Sequence, residues 1–509
     1  MLDQSFSTSE FVEIFDRENR KGRNVESMFP QDFHKSLEHL REIQELTNQI
    51  KSETDPERKM ALYERREGLK SERISEIKRV LEVTAEGLNT RVSDISLEDI
   101  GLVNKKRTYR LESKIENFFL SKKVQLNIKR TYKVKPASRY TILSQLTNLL
   151  TDGSPKYIIR TDVSAFFESI PQQVVRNKLN KDHLLSTMSK RVINKVLDEY
   201  NRLQPHFDSS APKGIPRGVG FSPYLAEIFM RGIDNQIRLM ADLVYYARYV
   251  DDMILIFIPK SIEASNSHTI RYSQNLEKVF NENGLVLSNK KTGYFNILKT
   301  YDQIVRKEAL DDNGVKSTSE RKPANAINFL GYTISANKYT VISGQKRKLA
   351  YEIAIDLSTR KIENYKKKLK VCFKTFESKR KANEKKAFEL LLTRVMFLTG
   401  NTRLRSNKSK ILIGVYYSNP FLLNDSSLIQ LDRSLKYWIY QSKLTNEQQS
   451  RLLYFSFTLG YQEKRFNSFP IRKRVYKNHN AINRDLQNAN NKGVVQYGLT
   501  EIGSIWRDY

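Results

Sequence analysis

Among its 509 residues the chain has one cysteine, Cys372, and only six histidines. A lone cysteine excludes an internal disulfide and any zinc site built on cysteine pairs. In its lysine-rich surroundings Cys372 reads as a small helix residue without a chemical role. Long apolar runs are also missing: none approaches the roughly 18 residues of a membrane span. Met1 to Glu10 lacks the charged-then-apolar pattern of a secretory leader, so the expected compartment is the cytoplasm. Acidic residues are in deficit, 57 against 87 lysines and arginines, for a net charge of +30. Such a surface attracts polyphosphate backbones, more weakly as salt rises, with anionic membrane surfaces as the competing partner. A hydrophobic content of 39% is ample for large cores in two or three domains.

Against that basic background, Tyr249-Val250-Asp251-Asp252 sets two carboxylates between the apolar runs Leu243 to Tyr246 and Met253 to Ile258. The flanks predict two strands meeting at a tight turn. Acids there are either solvated, as in any acidic turn, or compensated by a cation or hydrogen bonds. A second segment, Tyr157 to Pro171, runs a β-rich apolar lead into Asp162 and then the aromatic pair Phe166 and Phe167. Asp162 is placed either at a strand end or as the cap of a short helix beginning near Ala165. A cap accounts for Asp162 but not for Asp251. Magnesium accounts for both, since this hard cation prefers carboxylate oxygens and leaves coordination for water and phosphate. Two carboxylates can hold two such ions for an in-line displacement at phosphorus.

Taken in order, these segments resemble a reverse transcriptase. Asp162 with Phe167 is similar to the first palm motif, and Tyr249 to Asp252 to the third. Between them, Gly214-Ile215-Pro216-Arg217-Gly218-Val219-Gly220-Phe221-Ser222-Pro223 resembles the family's loop leading into a helix. Gly284-Leu285 with Asn289-Lys290-Lys291-Thr292, and Ile327-Asn328-Phe329-Leu330-Gly331-Tyr332, resemble the fourth and fifth motifs. The resemblance covers roughly residues 100 to 340. It implies an α+β fold of right-hand polymerase fingers and palm, with an antiparallel palm sheet and helices, followed by an all-α C-terminal domain.

Roles follow residue by residue from that likeness. Asp162 and Asp251 would bridge two magnesium ions, or manganese in their place, with the Val163 carbonyl as a further ligand and Asp252 in support. Phe167 would be the gate that favours deoxynucleotides, one of Phe166 and Phe167 serving only as core. Lys291 would hand a proton to departing pyrophosphate, although a lysine there also suits a solvated turn. Lys133, Lys135 and Arg139 would grip the triphosphate, although three cations in seven residues are unremarkable in so basic a chain. Arg217 departs from the glutamine that most reverse transcriptases carry beside Gly218, bringing a fixed charge to the nucleotide-binding loop and putting templating in doubt.

The run Ile215 to Pro223, and Lys408-Ser409-Lys410-Ile411-Leu412-Ile413-Gly414-Val415-Tyr416-Tyr417-Ser418-Asn419-Pro420, resemble the abortive-infection (Abi) antiphage polymerases. That branch implies DNA synthesis without a template, primed by a tyrosine and leaving single-stranded DNA covalently attached, in a homo-oligomer. The chain has 26 tyrosines, of which Tyr63 and Tyr509 are accessible-looking candidates. A templated enzyme of retron or related defence type is the alternative. A third reading, a nucleic-acid-binding scaffold with a helical RNase-like tail, rests on Arg474 and His479.

Three parts are expected: residues 1–100, a helical extension packing on the fingers; 101–340, fingers and palm; and 341–509, an α-helical domain in the thumb position. Leu37, Leu40, Ile43, Leu46 and Ile50 share one helical face, and Asp55-Pro56 reads as a cap and first helical position. Helix is expected from Gln345 onward, first on the stripe Leu349, Ile353, Leu357 and later on Phe388, Leu391, Leu392, Val395 up to Gly400. Lys366-Lys367-Lys368 and Lys379-Arg380-Lys381 are expected to be solvated helix faces, with the lining of a nucleic-acid channel as the alternative.

Overall fold

The fold is described from a computed structural model covering residues 2–21, 23–88, 95–103, 105–135, 137–151, 156–204, 210–259, 265–288, 292–297, 326–343, 346–403 and 411–469, with 474–475, 495–496 and 502. It divides into two compact units: Met1–Ser138 with Thr161–Thr292, and Arg139–Arg160 with Gly293–Tyr509.

The first unit begins with helices α1 (Thr8–Arg20), α2 (Val25–Met28), α3 (His34–Ser52) and α4 (Pro56–Leu88). On α3 the stripe buries Ile43, Leu46 and Ile50, with Leu37 and Leu40 half-buried. Asp55 caps α4 through its carboxylate, which accepts from the Glu57 amide at 2.9 Å. The hairpin β1 (Leu97–Val103) and β2 (Lys106–Leu111) precedes α5 (Ile115–Thr131). Helix α5 is apolar on several faces because α1, α4, α9 (Thr187–Arg202) and α10 (Ser222–Arg238) all pack on it. Phe11 of α1 meets Phe119 of α5 at 5.1 Å between ring centres, and buried Lys123 pairs with Glu10 at 2.7 Å. The unit also holds α7 (Phe166–Ser169), α8 (Gln172–Lys181), β4 (Leu243–Tyr249), β5 (Asp252–Phe257) and α11 (Ser265–Glu282).

In the second unit are α6 (Arg139–Thr151), β6 (Gly293–Ile297) and most of β3 (Lys156–Asp162), whose last two residues, Thr161 and Asp162, belong to the first unit. In the first unit β4 and β5 pair antiparallel, Tyr246 opposite Leu255, and in the second β3 and β6 pair antiparallel, Ile158 opposite Phe295. Tyr157, Ile158 and Ile159 are each 1% exposed, so β3 is buried on both faces, which is why its sequence runs apolar without alternation. A second sheet orders β7 (Ala326–Phe329), β8 (Tyr332–Ser343) and β9 (Lys346–Leu357).

The helical reading from Gln345 onward is corrected here. Residues 346–357 form β9, paired with β8 from Ser343↔Lys346 to Tyr332↔Leu357. Positions four apart share a face in a strand as well as in a helix, and the intervening Ile355, 1% exposed, marks the two-residue period. Helix α12 (Thr359–Thr399) starts only after Ser358 and is broken at Asn383, whose backbone is extended (φ −162°) and whose side chain accepts from the Lys386 amide at 2.9 Å. The stripe Phe388, Leu391, Leu392 and Val395 is buried as expected, and Gly400 ends the helix. Nor is this part all-α: β10 (Asn401–Arg403) pairs with β11 (Leu412–Gly414), and β12 (Arg474–Val475) with β13 (Val495–Gln496). Arg474 therefore lies on a strand and not in a helix; His479, like Tyr509 and Lys408 to Lys410, lies outside the described residues.

Helices α13 (Ser426–Gln441), α14 (Asn446–Leu453) and α15 (Phe457–Gln462) close a core around Phe373, Phe376, Leu431 and Leu435. Cys372 is 1% exposed within that core, and burial pushes its thiol up to about 12, consistent with an inert packing residue. Lys366 is half-buried and reaches Glu363 at 3.0 Å, and Lys367 is exposed; the half-buried Lys368 lies over the Tyr365 ring at 5.5 Å, its ammonium lowered by burial. Lys379 and Lys381 are exposed, while Arg380 donates to the Lys443 carbonyl at 2.6 Å. Among the described residues no helix is long and apolar enough to cross a membrane.

Asp432 of α13 holds the start of α15, accepting from the Phe457 and Thr458 amides at 2.6 and 3.2 Å and from the Ser456 and Thr458 hydroxyls, both at 2.7 Å. Asp432→Ala leaves these donors without their acceptor, and a loss of about 2 kcal/mol is expected in urea denaturation. A change below a few tenths would show the cap to be replaceable by water.

Candidate active site

Strands β4 and β5 form a hairpin in which Tyr249 opposes Asp252, leaving Val250 and Asp251 as the two turn residues. Val250 sits in the left-handed region at φ +62°. For a β-branched side chain that conformation is strained, by about 1–3 kcal/mol. Arg248 holds it. Its Nη1 donates to the Val250 carbonyl at 2.9 Å and to Glu227 Oε1 at 2.9 Å, Nη2 donates to Glu227 Oε2 and Asp234 Oδ2, both at 2.8 Å, and Nε donates to Asp234 Oδ1 at 2.9 Å. All five guanidinium N–H groups are thereby used. Burial works against the Arg248 charge, but the bonds from Asp234 and Glu227 prevail and raise its pKa. The Tyr246 hydroxyl adds a bond to Asp234 at 2.7 Å, and burial together with that carboxylate holds its pKa well above the usual phenol range.

Asp162 is the last residue of β3 and is 5% exposed. Its carbonyl accepts from the Ser288 amide at 2.8 Å, and the next residue, Val163, donates its amide to the Asp251 carbonyl at 3.3 Å. Asp162, Val163, Asp251 and Asp252 are thus gathered by the backbone at one edge of the hairpin, Asp251 and Asp252 half-buried. Asp162 is not a helix cap: the chain first turns through Ala165, left-handed at φ +43°, before α7 begins at Phe166.

The aromatic pair follows at once. Phe166 is 1% and Phe167 8% exposed, their rings T-shaped at 5.4 Å. Above Phe167 lies Arg217, its guanidinium carbon 4.8 Å from the ring centre and its Nη2 3.2 Å from Glu168 Oε1. The loop carrying it is fixed by the Ile215 amide on the Phe167 carbonyl (2.8 Å) and by the Tyr109 amide on the Arg217 carbonyl (2.7 Å). Gly218 has φ +100°, and a Cβ there would come within 2.3 Å of the Tyr109 carbonyl oxygen, so only glycine lets β2 approach. Arg217, Gly218, Phe167 and Glu168 form one constellation.

Lys133 and Lys135 are exposed beyond the end of α5 in the first unit. Arg139 opens α6 in the second unit, where its guanidinium bonds the Leu330 carbonyl and lies 5.5 Å over the Tyr332 ring. Lys291 lies outside the described residues. Sequence reasoning missed Arg248, Glu227 and Asp234. The signal was present: Glu227 and Asp234 are seven positions apart, two turns of one helical face, and Arg248 directly precedes the acidic motif.

The donors at the acidic edge are oxygens only, as magnesium requires. Among the described residues no group of three or more His, Cys, Asp or Glu is arranged to hold a metal alone.

Residues 103–334 match the family described as reverse transcriptase (RNA-dependent DNA polymerase). A stretch resembling a reverse transcriptase domain is thus found over less than half of the chain, and it contains the acidic edge and the Arg217 loop. No curated protein matches the chain. Two solved structures are similar to it: an apo telomerase from Candida tropicalis truncated from its C-terminal domain (12% identity, 51% of this chain and 59% of that one, TM-score 0.28), and a telomerase from Candida albicans in complex with a fragment of telomeric RNA (11%, 72% and 67%, TM-score 0.34). The chain thus spans about three fifths of the first of these.

Arg248 tests the construction of this site. Arg248→Met leaves two partly buried carboxylates without their cation, and a stability loss of about 3–5 kcal/mol is expected by chemical denaturation, against a smaller loss for Arg248→Lys, which keeps the charge but not the fork. Equal stability of the two variants would mean that charge alone, and not the five-bond geometry, holds the turn.

Proposed function

We propose that the chain is a magnesium-dependent DNA polymerase of reverse-transcriptase type that extends DNA without a template from one of its own tyrosines, in abortive-infection defence against phage. The observation that carries the untemplated reading is the Arg217 guanidinium stacked on Phe167 and paired with Glu168. A fixed cation, held by its own carboxylate, lies where the family's neutral glutamine would face the nucleotide and templating base.

Asp162 and Asp251 would hold the ions with the Val163 carbonyl, and Asp252 would support them. When bound, two magnesium ions supply activation of the attacking hydroxyl and charge stabilisation of the in-line displacement. Phe167 would pack where a ribose 2′-hydroxyl lies, Lys133 and Lys135 would meet the triphosphate, and Lys291 would protonate the departing pyrophosphate. The nucleophile would be a phenol hydroxyl in place of a primer 3′-hydroxyl. Accessibility narrows the choice: burial raises the pKa values of Tyr132, Tyr200, Tyr245, Tyr246, Tyr332 and Tyr365, whereas Tyr63 is 41% exposed.

Purified protein given deoxynucleotides and magnesium, with no nucleic acid, is expected to yield a protein-linked ladder that survives denaturation. Asp251→Asn with Asp252→Asn should abolish it. Synthesis that needs both primer and template would overturn the untemplated reading, and synthesis unaffected by the double substitution would overturn the acidic edge as the active site. Phe167→Ala should lower the preference for deoxy- over ribonucleotides on the order of 10–100-fold, measured by competitive incorporation.

A further inference from the structure

The hairpin of β1 and β2 is anchored at one end and bare at the other. At its base Leu97 and Tyr109 are buried, and the Tyr109 ring meets Tyr200 of α9 edge-on at 5.1 Å. At its outer end Ile100, Leu102 and Val103 are 44, 74 and 48% exposed. Three aliphatic side chains within four residues form one apolar patch, unlike hydrophobes scattered singly over a surface. Leu102 pairs with Arg107 and Val103 with Lys106, so these successive residues point to opposite faces of the ribbon, and both are open to solvent. Facing water, they add nothing to the core of the unit.

The charge at this end is positive. Asp99 and Glu98, the acids of the hairpin, are taken up by Arg107 at 2.7 Å and Arg110 at 2.8 Å. Lys105 and Lys106 remain, both exposed, and among the described residues neither is paired with a carboxylate. Lysines behind an aliphatic tip match the two layers of an anionic membrane, headgroups for the cations and acyl chains for the tip. A nucleic-acid strand would answer the lysines but leave the aliphatics in water, because bases stack on aromatic rings and Ile100 to Val103 has none. An added β-strand is disfavoured by the register shift between Asp99 and Leu102, where Gly101 has φ +81° and the β1 edge is interrupted. A second copy of a chain with a net charge of +30 would be repelled. A protein groove covers one face of a ribbon, whereas a lipid surface receives the tip end-on and surrounds both.

We propose that the tip of this hairpin docks the chain on an anionic lipid surface, with Ile100, Leu102 and Val103 entering the acyl boundary and Lys105 and Lys106 held among the headgroups. The assignment concerns where the chain rests and not what it synthesises, so it stands apart from the polymerase reading.

The test is sedimentation of the full chain with vesicles of phosphatidylcholine containing about one third phosphatidylglycerol, against vesicles of phosphatidylcholine alone. Affinity for the anionic vesicles is expected to exceed that for the neutral ones by on the order of tenfold or more, and to fall as salt rises. Lys105→Gln and Lys106→Gln should each lower it roughly fivefold. Leu102→Gln should lower it about tenfold with the salt dependence unchanged, as expected for a lost apolar contact. All three positions are exposed, so these substitutions leave the fold in place. In Leu102→Trp the added fluorescence should be quenched by brominated lipids in the anionic vesicles. Parent-like vesicle affinity in both Leu102→Gln and the double lysine variant would show adsorption through general charge and overturn the tip, as would an absence of quenching in Leu102→Trp. Loss of oligothymidylate binding in Leu102→Gln with vesicle binding kept would assign the tip to nucleic acid and overturn the lipid surface.

Discussion

The five hydrogen bonds of Arg248 tie α10, β4 and the Val250 turn to one another. Glu227 and Asp234 reach it from α10, Tyr246 reaches Asp234 from β4, and the guanidinium passes the connection on to the Val250 carbonyl. Desolvated carboxylates and a desolvated arginine are each costly alone. Together they satisfy one another, and at about 1.5–3 kcal/mol for a bond to a charged group they outweigh the roughly 1–3 kcal/mol of strain at a left-handed valine. The turn that presents Asp251 is therefore set by a buried polar network and not by turn propensity.

The other acid is set in a related way. Ala165, also left-handed, redirects the chain three residues after Asp162, and the Ser169 amide closes that bend on the Ala165 carbonyl at 2.9 Å. The bend delivers Phe166 to the core and Phe167 to the underside of Arg217. One short backbone path thus links the carboxylate at the end of β3 to the aromatic ring. A change in the Arg217 loop has a direct route to the acid through the Ile215 to Phe167 hydrogen bond.

Much of this was legible where local chemistry and tertiary context agree. Asp55-Pro56 starts a helix because the cap and the fixed φ of proline serve the same end. The hairpin around Asp251 was readable because its strands are long, apolar and separated by two residues. Residues 346–357 were misread because a spacing of four does not distinguish helix from strand, and the period-two signal in Ile353, Ile355 and Leu357 carries the decision. The Arg248 network was missed for a different reason. Its partners come from α10 and β4, and in so basic a chain an arginine beside an acidic motif reads as ordinary surface charge.

Val250 has one more consequence. Glycine would adopt its φ without strain, but glycine would also allow many other conformations in the open chain and a looser turn in the closed one. A branched side chain forced into that region has few ways to relax, so the hairpin tip is preorganised: its carbonyls and the Asp251 backbone are already in place. Under the function proposed above, a ligand at this edge would spend none of its affinity on ordering the polypeptide.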